Sequence, residues 1–169
     1  IAYFGDGATA QGDVNESFVF AAVANAPVVF FCQNNQWAIS EPNDRQNRIP
    51  LDRRASGVGV PGGGGDGNDG LATLAVTAEA LDRAGSGNGP TLVGAFTYRV
   101  AAHTTSDDPT RYRERAEEEE WRRRDPIDRL RNLMLAQGDA DQDYLDSVDA
   151  EAAEFAASIR TYCRSLTKP

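Results

Sequence analysis

The sequence predicts an α/β fold: a parallel sheet with helices on both faces, followed by C-terminal helices. Three observations predict it. Two short apolar runs, residues 1–4 and 28–32, flank a helix-forming segment, which is the order of a βαβ unit. The second run, Val28-Val29-Phe30-Phe31-Cys32, is continuous, β-branched and aromatic, as a strand buried on both faces should be. A third such run, residues 91–98, follows another helical segment.

Taken in order, Ile1-Ala2-Tyr3-Phe4 reads as a strand that Gly5-Asp6-Gly7 breaks. The strand is expected to lack its upstream partners, so the chain reads as a fragment of a longer one, truncated at the N-terminus. No basic segment precedes the apolar opening, which is therefore not read as a signal peptide. Asp13 with Glu16 three residues on resembles a capping box. Phe18, Ala21, Ala22 and Asn25 continue at helical spacing, predicting a helix over 14–26 that Pro27 ends. Residues 34–61 read as irregular and polar, with Pro42 and Pro50. The run from Gly62 to Gly70, four consecutive glycines included, reads as a cluster of breakers. Leu71, Leu74, Ala75, Ala78 and Leu81 form a helical stripe ending near Gly85. After the third strand, 99–113 reads as a polar loop and 114–124 as a charged helix. Asp125 caps and Pro126 starts the next helix, whose buried face is expected to be Ile127, Leu130, Leu133 and Met134, with Gly138 at its end. Residues 141–166 read as a last amphipathic helix. The expected division is an α/β domain over 1–124 and a helical extension over 125–169 packing on it.

The 169 residues suffice for one domain with a real core. With 17 Lys and Arg against 26 Asp and Glu, net −9, the chain is a poor candidate for nucleic acid, whose phosphates need basic groups. A phosphorylated cofactor stays open to it if a metal or a helix N-terminus supplies the positive charge. Cys32 and Cys163 form no C-x-x-C, and Cys32 reads as core; a reduced intracellular setting is expected, cytoplasmic in a bacterium or the mitochondrial matrix in a eukaryote. The longest apolar run falls far short of the roughly 20 residues of a membrane helix.

The chemistry lies at two strand exits. Gly5-Asp6-Gly7 follows the first strand and Asn34-Asn35 the second, so both fall at the carboxyl edge where open α/β sheets bind ligands. Asp6 and Asn35 offer oxygen atoms of the hard kind Mg²⁺ takes, and a diphosphate could complete its shell. Alone, a Gly-Asp-Gly or Asn-Asn is usually a turn. Paired across one crossover, with Asn35 29 positions after Asp6, they match the thiamine-diphosphate signature.

On these residues the chain resembles the alpha subunit of the 2-oxo acid dehydrogenases. The likeness runs from Gly5-Asp6-Gly7-Ala8-Thr9-Ala10-Gln11-Gly12-Asp13 and Gln33-Asn34-Asn35-Gln36-Trp37-Ala38-Ile39-Ser40 through Asp66-Gly67-Asn68-Asp69 and Tyr98-Arg99. It continues in His103-Thr104-Thr105-Ser106-Asp107-Asp108-Pro109-Thr110-Arg111-Tyr112-Arg113 and in Trp121 with Arg124-Asp125-Pro126. The resemblance implies a thiamine-diphosphate-binding fold, with Asp6, the Asn35 side chain and the Trp37 carbonyl as Mg²⁺ ligands. It implies that Gly5, Gly7, Ala8, Gln33 and Ala38 bind the cofactor. Gln33 stands where some members carry an arginine, and Trp37 where they have Tyr or Phe. His103, the single histidine, would lie over the cofactor and act catalytically in acyl transfer to lipoamide; Thr104 and Ser106 lie in the loop that kinases modify in some eukaryotic members. The implied partners are a beta subunit carrying the cofactor-activating glutamate, in an α2β2 heterotetramer, and a lipoyl-bearing acyltransferase. The implied activity is oxidative decarboxylation of pyruvate or a branched-chain 2-oxo acid. Acetoin, another thiamine enzyme such as a transketolase-like protein, and a catalytically silent structural homologue stay open. Gly63, Gly64 and Gly65 replace the family's apolar residues and should weaken a strand there.

Overall fold

The computed structural model describes residues 1–166. They divide into two compact units, Ile1–Pro126 and a second beginning at Ile127.

The first unit is built on a four-stranded parallel sheet in which Ala2–Gly5 (β1), Val29–Asn34 (β2), Thr91–Phe96 (β6) and Gly62–Asp66 (β5) lie side by side in that order. Strand β1 (Ala2–Gly5) leads through a 3-10 turn, Asp6–Ala10, into α1 (Gly12–Val23) and then β2 (Val29–Asn34). A two-stranded hairpin follows, β3 (Trp37–Ala38) with β4 (Glu41–Pro42), then the short α2 (Asn43–Gln46) and a 3-10 helix, Leu51–Val58. The sheet resumes with β5 (Gly62–Asp66), α3 (Gly70–Gly85) and β6 (Thr91–Phe96), and α4 (Arg115–Arg122) closes the unit. The second unit holds α5 (Pro126–Gln137) and α6 (Gln142–Ser165), the latter capped by Asp141, which accepts from the Tyr144 N–H.

Alternation along the strands divides the core between the two faces, because successive side chains point to opposite sides. Phe30, Cys32 and Leu92 meet Phe18 and Ala21 of α1, together with Leu51, Ala55 and Val60. The edge-to-face pair Phe18–Phe30, ring centroids 4.9 Å apart, anchors this face. Val29, Phe31, Val93 and Ala95 meet Ala80 and Ala84 of α3 on the other face. Helical elements therefore cover both faces.

Four expectations outside the glycine run need correction. The helix after β1 starts at Gly12 with Gln11 as N-cap and no side-chain cap, so Asp13 lies in its first turn and no capping box forms. The 3-10 turn takes up the chain directly at the strand exit and moves the helix start forward. The stretch 34–61 is not merely irregular and polar: Leu51, Ala55 and Val60 are core. The leucine stripe of α3 is exposed at Leu71, Leu74 and Leu81, and the sheet is met instead by Val76, Ala80 and Ala84. Small residues let the helix lie close to the sheet. On α5, likewise, no residue is fully buried, and Ile127 and Leu130 are exposed.

The glycine run departs most from its sequence reading, since it forms β5 and pairs with β6 along its whole length. Gly62 and Gly64 lie in register with Leu92 and Gly94, on the face that the Leu51–Val58 helix covers. A Cβ on Gly62 would fall on the Asp52 carbonyl. One on Gly64 would come within 3.2 Å of the Asp52 carboxyl carbon, and one on Gly94 within 3.2 Å of the Asp52 Cβ. Three glycines thus make a bare patch on which Asp52 rests. Gly65 differs, for a Cβ there meets nothing within 4 Å. Gly62→Ala should destabilise the protein by about 1–3 kcal/mol through overpacking, whereas Gly65→Ala should be neutral or stabilising by up to about 1 kcal/mol through the unfolded state. Denaturant unfolding of the two variants checks the contrast; equal effects would show that Asp52 does not need the patch.

Candidate cofactor and metal site

The two strand exits meet. Asp6 sits at the end of β1, only 1 % exposed. Its Oδ1 accepts the Asn35 backbone N–H at 3.2 Å, joining residues 29 apart in sequence. Its Oδ2 is buried and has no hydrogen-bond partner. Burial raises the Asp6 carboxyl above its ordinary range, opposed by its own backbone hydrogen bond, that of Asn35 and the charge of Arg99. An ionised carboxylate held this way, with one oxygen unsatisfied, calls for a cation, because burying an uncompensated charge costs several kcal/mol.

Asn35 turns its side chain back on the chain, and its Oδ1 accepts from the Trp37 N–H at 3.1 Å. Asn34, also buried, plays another part: its Oδ1 accepts from the Gln36 N–H at 3.1 Å and from Asn43 Nδ2 at 3.0 Å, which shapes the turn. Gly7 lies against the hairpin, where a Cβ would come within 2.8 Å of the Ala38 Cβ. Its bareness is therefore required by Ala38 as well as by any phosphate. A side chain on Gly5 would project into open space. Gly5 and its register partner Gln33 line a cavity of about 360 Å³ with Tyr3, Phe4 and Phe31.

The free Asp6 oxygen is a hard donor of the kind suited to a cation such as Mg²⁺, and the Asn35 amide stands at the neighbouring strand exit. Among the described residues no group of three or more His, Cys, Asp or Glu forms a metal cluster. A centre with a single acidic ligand needs no such cluster. The orphaned Asp6 oxygen fits an Mg²⁺–diphosphate group, which brings its own oxygens. Cys32, behind the site, is inert; burial pushes its thiol up to about 12.

The third strand exit carries residues to which the sequence pattern assigns no role. Arg99, three residues past β6, donates to the carbonyls of Trp37 (3.4 Å) and Ile39 (2.7 Å) and to the Tyr112 hydroxyl (2.7 Å). Tyr112 donates to Asp107 Oδ2 at 2.6 Å, and the same oxygen accepts the His103 N–H at 2.8 Å. Trp37 and Tyr112 pack ring to ring at 5.2 Å. Arg113, buried at the base of the loop, donates to the carbonyls of Arg99, Val100 and Ala101 and pairs with Glu118. His103 is exposed on this loop, held through its backbone. No contact joins its imidazole to Asp6 or Asn35. Thr104 and Ser106, also exposed, share a hydrogen bond at 3.2 Å. The available sequence signal was positional: Arg99 leaves the same carboxyl edge as Asp6 and Asn35.

A parallel sheet that buries a half-satisfied acid at one strand exit, bonded to the Asn35 N–H at the next, fits the class of cofactor-binding α/β proteins. Residues 1–159 match the family described as Dehydrogenase E1 component, and the chain belongs to that family. Thiamine diphosphate is the cofactor of this family. The chain is 50 % identical over 161 residues to the 3-methyl-2-oxobutanoate dehydrogenase subunit alpha of Mycobacterium tuberculosis. It is 44 % identical over 163 residues to the pyruvate dehydrogenase E1 component subunit alpha of Staphylococcus aureus. Each match covers 95 % of this chain and 44 % of the relative, so the chain spans less than half the length of these relatives.

Asp107 is the hub of the His103 loop. The Tyr112 hydroxyl, the His103 N–H and Arg99 hold its carboxyl below the ordinary aspartate value of 3.8. A depressed acid contributes stability above its unfolded pKa and loses it as pH falls through the folded one. Protection of the His103 amide from hydrogen exchange should therefore persist at neutral pH and fade below 3.8. Asp107→Ala should speed that exchange by about tenfold or more at neutral pH, from two lost hydrogen bonds. Exchange no faster than wild type would show that the loop is held elsewhere.

Proposed function

We propose that this chain supplies the thiamine-diphosphate- and Mg²⁺-holding part of the alpha subunit of a 2-oxo acid dehydrogenase. The substrate is pyruvate or a branched-chain 2-oxo acid, decarboxylated oxidatively with transfer of the acyl group to lipoamide. One observation carries the reading: the buried Asp6 carboxylate with its unsatisfied oxygen, bonded across the sheet edge to Asn35. The names of the two relatives support the substrate class.

In this reading Asp6, the Asn35 side chain and the Trp37 carbonyl hold Mg²⁺. Trp37 contributes main chain only, so an indole serves where another aromatic would. Its carbonyl already accepts from Arg99 but has a second lone pair to offer. Gly5, Gly7 and Ala8 present backbone to the diphosphate, and Ala38 closes the side of that cradle against Gly7. Gln33 offers the cofactor a neutral hydrogen bond. Bound thiamine diphosphate supplies the carbon nucleophile and the electron sink for decarboxylation. His103 is the catalytic residue of this chain on this proposal: its imidazole would meet the diphosphate side of the bound cofactor and move a proton during acyl transfer.

The glutamate that activates the cofactor belongs, on this proposal, to a separate beta subunit in an α2β2 assembly, and a lipoyl-bearing acyltransferase receives the product. Apolar faces left open on α1 (Val19, Phe20, Val23) and α3 (Leu71, Leu74, Leu81) support incorporation into a larger structure. A bacterial cytoplasmic location, or the matrix in a eukaryote, is proposed from the bacterial relatives. Among the described residues no helix is long and apolar enough to cross a membrane.

Calorimetry on the full-length assembly tests the site. Wild type should bind thiamine diphosphate only with Mg²⁺, and Asp6→Asn should weaken that binding at least about 100-fold. Its metal-free melting temperature should not fall, because the variant removes a buried uncompensated charge. Unchanged metal-dependent binding in Asp6→Asn would overturn the site. Separately, full-length alpha chain without its partner should show no decarboxylation, and robust turnover would overturn the two-subunit reading.

A further inference from the structure

Arg54 occupies a place that none of the site's chemistry explains. It lies in the Leu51–Val58 helix, partly buried, and the acceptors of its guanidinium come from three separate segments. Its Nε donates to Asn15 Oδ1 of α1 at 3.1 Å. Its Nη1 donates to Thr9 Oγ1 at 3.4 Å and to Asn47 Oδ1 at 2.5 Å. All three acceptors are neutral. A planar guanidinium can bind acceptors in several directions at once, which an ammonium on a flexible stem does not reproduce.

Two directed chains leave this node, and each ends at one of the strand exits. Thr9 accepts from Arg54 and donates its own hydroxyl proton to the Asp6 carbonyl at 2.6 Å. Asn15 braces the same turn by donating to the carbonyls of Thr9 (3.2 Å) and Gln11 (2.8 Å). In the other direction, Asn47 donates to Asn43 Oδ1 at 2.6 Å, and Asn43 donates to Asn34 Oδ1 at 3.0 Å. Asn34 immediately precedes Asn35. Every donor on both paths points away from Arg54, so one orientation of the hydroxyl and amides satisfies the whole network.

We propose that Arg54 is a positioning residue that fixes the Asp6 turn relative to the Asn34–Asn35 turn, and so sets the affinity for the Mg²⁺–diphosphate group. Its side-chain hydrogen bonds go to Asn15, Thr9 and Asn47, one step or more removed from Asp6 and Asn35. The inference rests on the function proposed above, and it adds a determinant remote from the ligands.

The test uses the full-length assembly, calorimetric titration with thiamine diphosphate at several Mg²⁺ concentrations, and metal-free thermal melting. Arg54→Met and the charge-keeping Arg54→Lys should both weaken Mg²⁺-dependent binding by about 10–100-fold, the range expected when a supporting shell is lost. Excess Mg²⁺ should restore occupancy by mass action, and binding should weaken even where the metal-free melting temperature stays at the wild-type value, which a merely structural defect would not allow. If the Arg54 variants fail to fold, Thr9→Val and Asn47→Ser, each cutting one chain, should each weaken binding by a smaller factor. Wild-type binding with unchanged affinity in these variants would overturn the role of Arg54 and leave the proposed function standing. A variant that melts lower yet keeps its Mg²⁺ dependence would also overturn it, by showing a structural role alone. Absence of Mg²⁺-dependent binding in wild type would overturn both.

Discussion

The Asp6 carboxylate is the constraint around which the first unit is arranged. It is almost fully removed from water, and only one of its oxygens is bonded, to the Asn35 N–H. Burial raises its pKa, so the folded protein meets a cost when the group ionises. Nothing in its immediate shell removes that cost: the backbone donors satisfy one oxygen, and Arg99 acts only through its charge. A protein that needed only a turn here could place any small polar residue at this point, with its side chain in water. Keeping an acid buried and half-bonded suits the cation that the proposed function puts at this site.

Around this point the fold works mainly through close approach. Gly7 yields to Ala38, and Gly62, Gly64 and Gly94 yield to Asp52. The second contact seats the Leu51–Val58 helix on the sheet, and that helix carries both the core residues Leu51 and Ala55 and the node at Arg54. Side chains at those glycines would lift the helix and with it Arg54. A strand made almost wholly of glycine loses side-chain packing, yet it keeps its ladder to β6 and gains a surface flat enough for another backbone. The glycine run is thereby accounted for as packing. It is no argument for a silent homologue.

Much of this was legible in the sequence, and the misses share a cause. Continuous apolar runs locate β2 and β6, and their pairing with Gly5-Asp6-Gly7 and Asn34-Asn35 locates the carboxyl edge. Those signals are local: strand burial and turn chemistry depend on neighbours in sequence. Periodicity alone misplaced the buried face of α3, since Leu71, Leu74 and Leu81 mark an apolar stripe without saying what meets it. Alanine carries little weight in such a pattern, although Ala80 and Ala84 are what the sheet admits. The glycines were read as breakers because their partner, Asp52, lies in a stretch that looked irregular. Arg54, Arg99 and Arg113 get no side-chain role from the local pattern for the same reason, and only position at the carboxyl edge points to Arg99. Each is defined by acceptors far along the chain, at Thr9, Trp37 and Val100 among others, and no local pattern marks such a partner.

Arg99 shows why these distant partners matter to chemistry. One guanidinium holds the Trp37 and Ile39 carbonyls on one side and the Tyr112 hydroxyl on the other. Through Tyr112 and Asp107 it reaches the His103 backbone, so the hairpin after Asn35 and the histidine loop share one clamp. The imidazole itself is left free and exposed. On the proposed function, a group that serves a cofactor and then an acyl acceptor needs an accessible ring nitrogen. Holding it by its main chain sets where it stands and leaves its nitrogens available. The same clamp ties the loop to the Trp37 carbonyl, so on the proposed assignment a shift in the metal's ligands would reach His103 through two hydrogen-bonded side chains, Arg99 and Tyr112, and the Asp107 carboxylate they face.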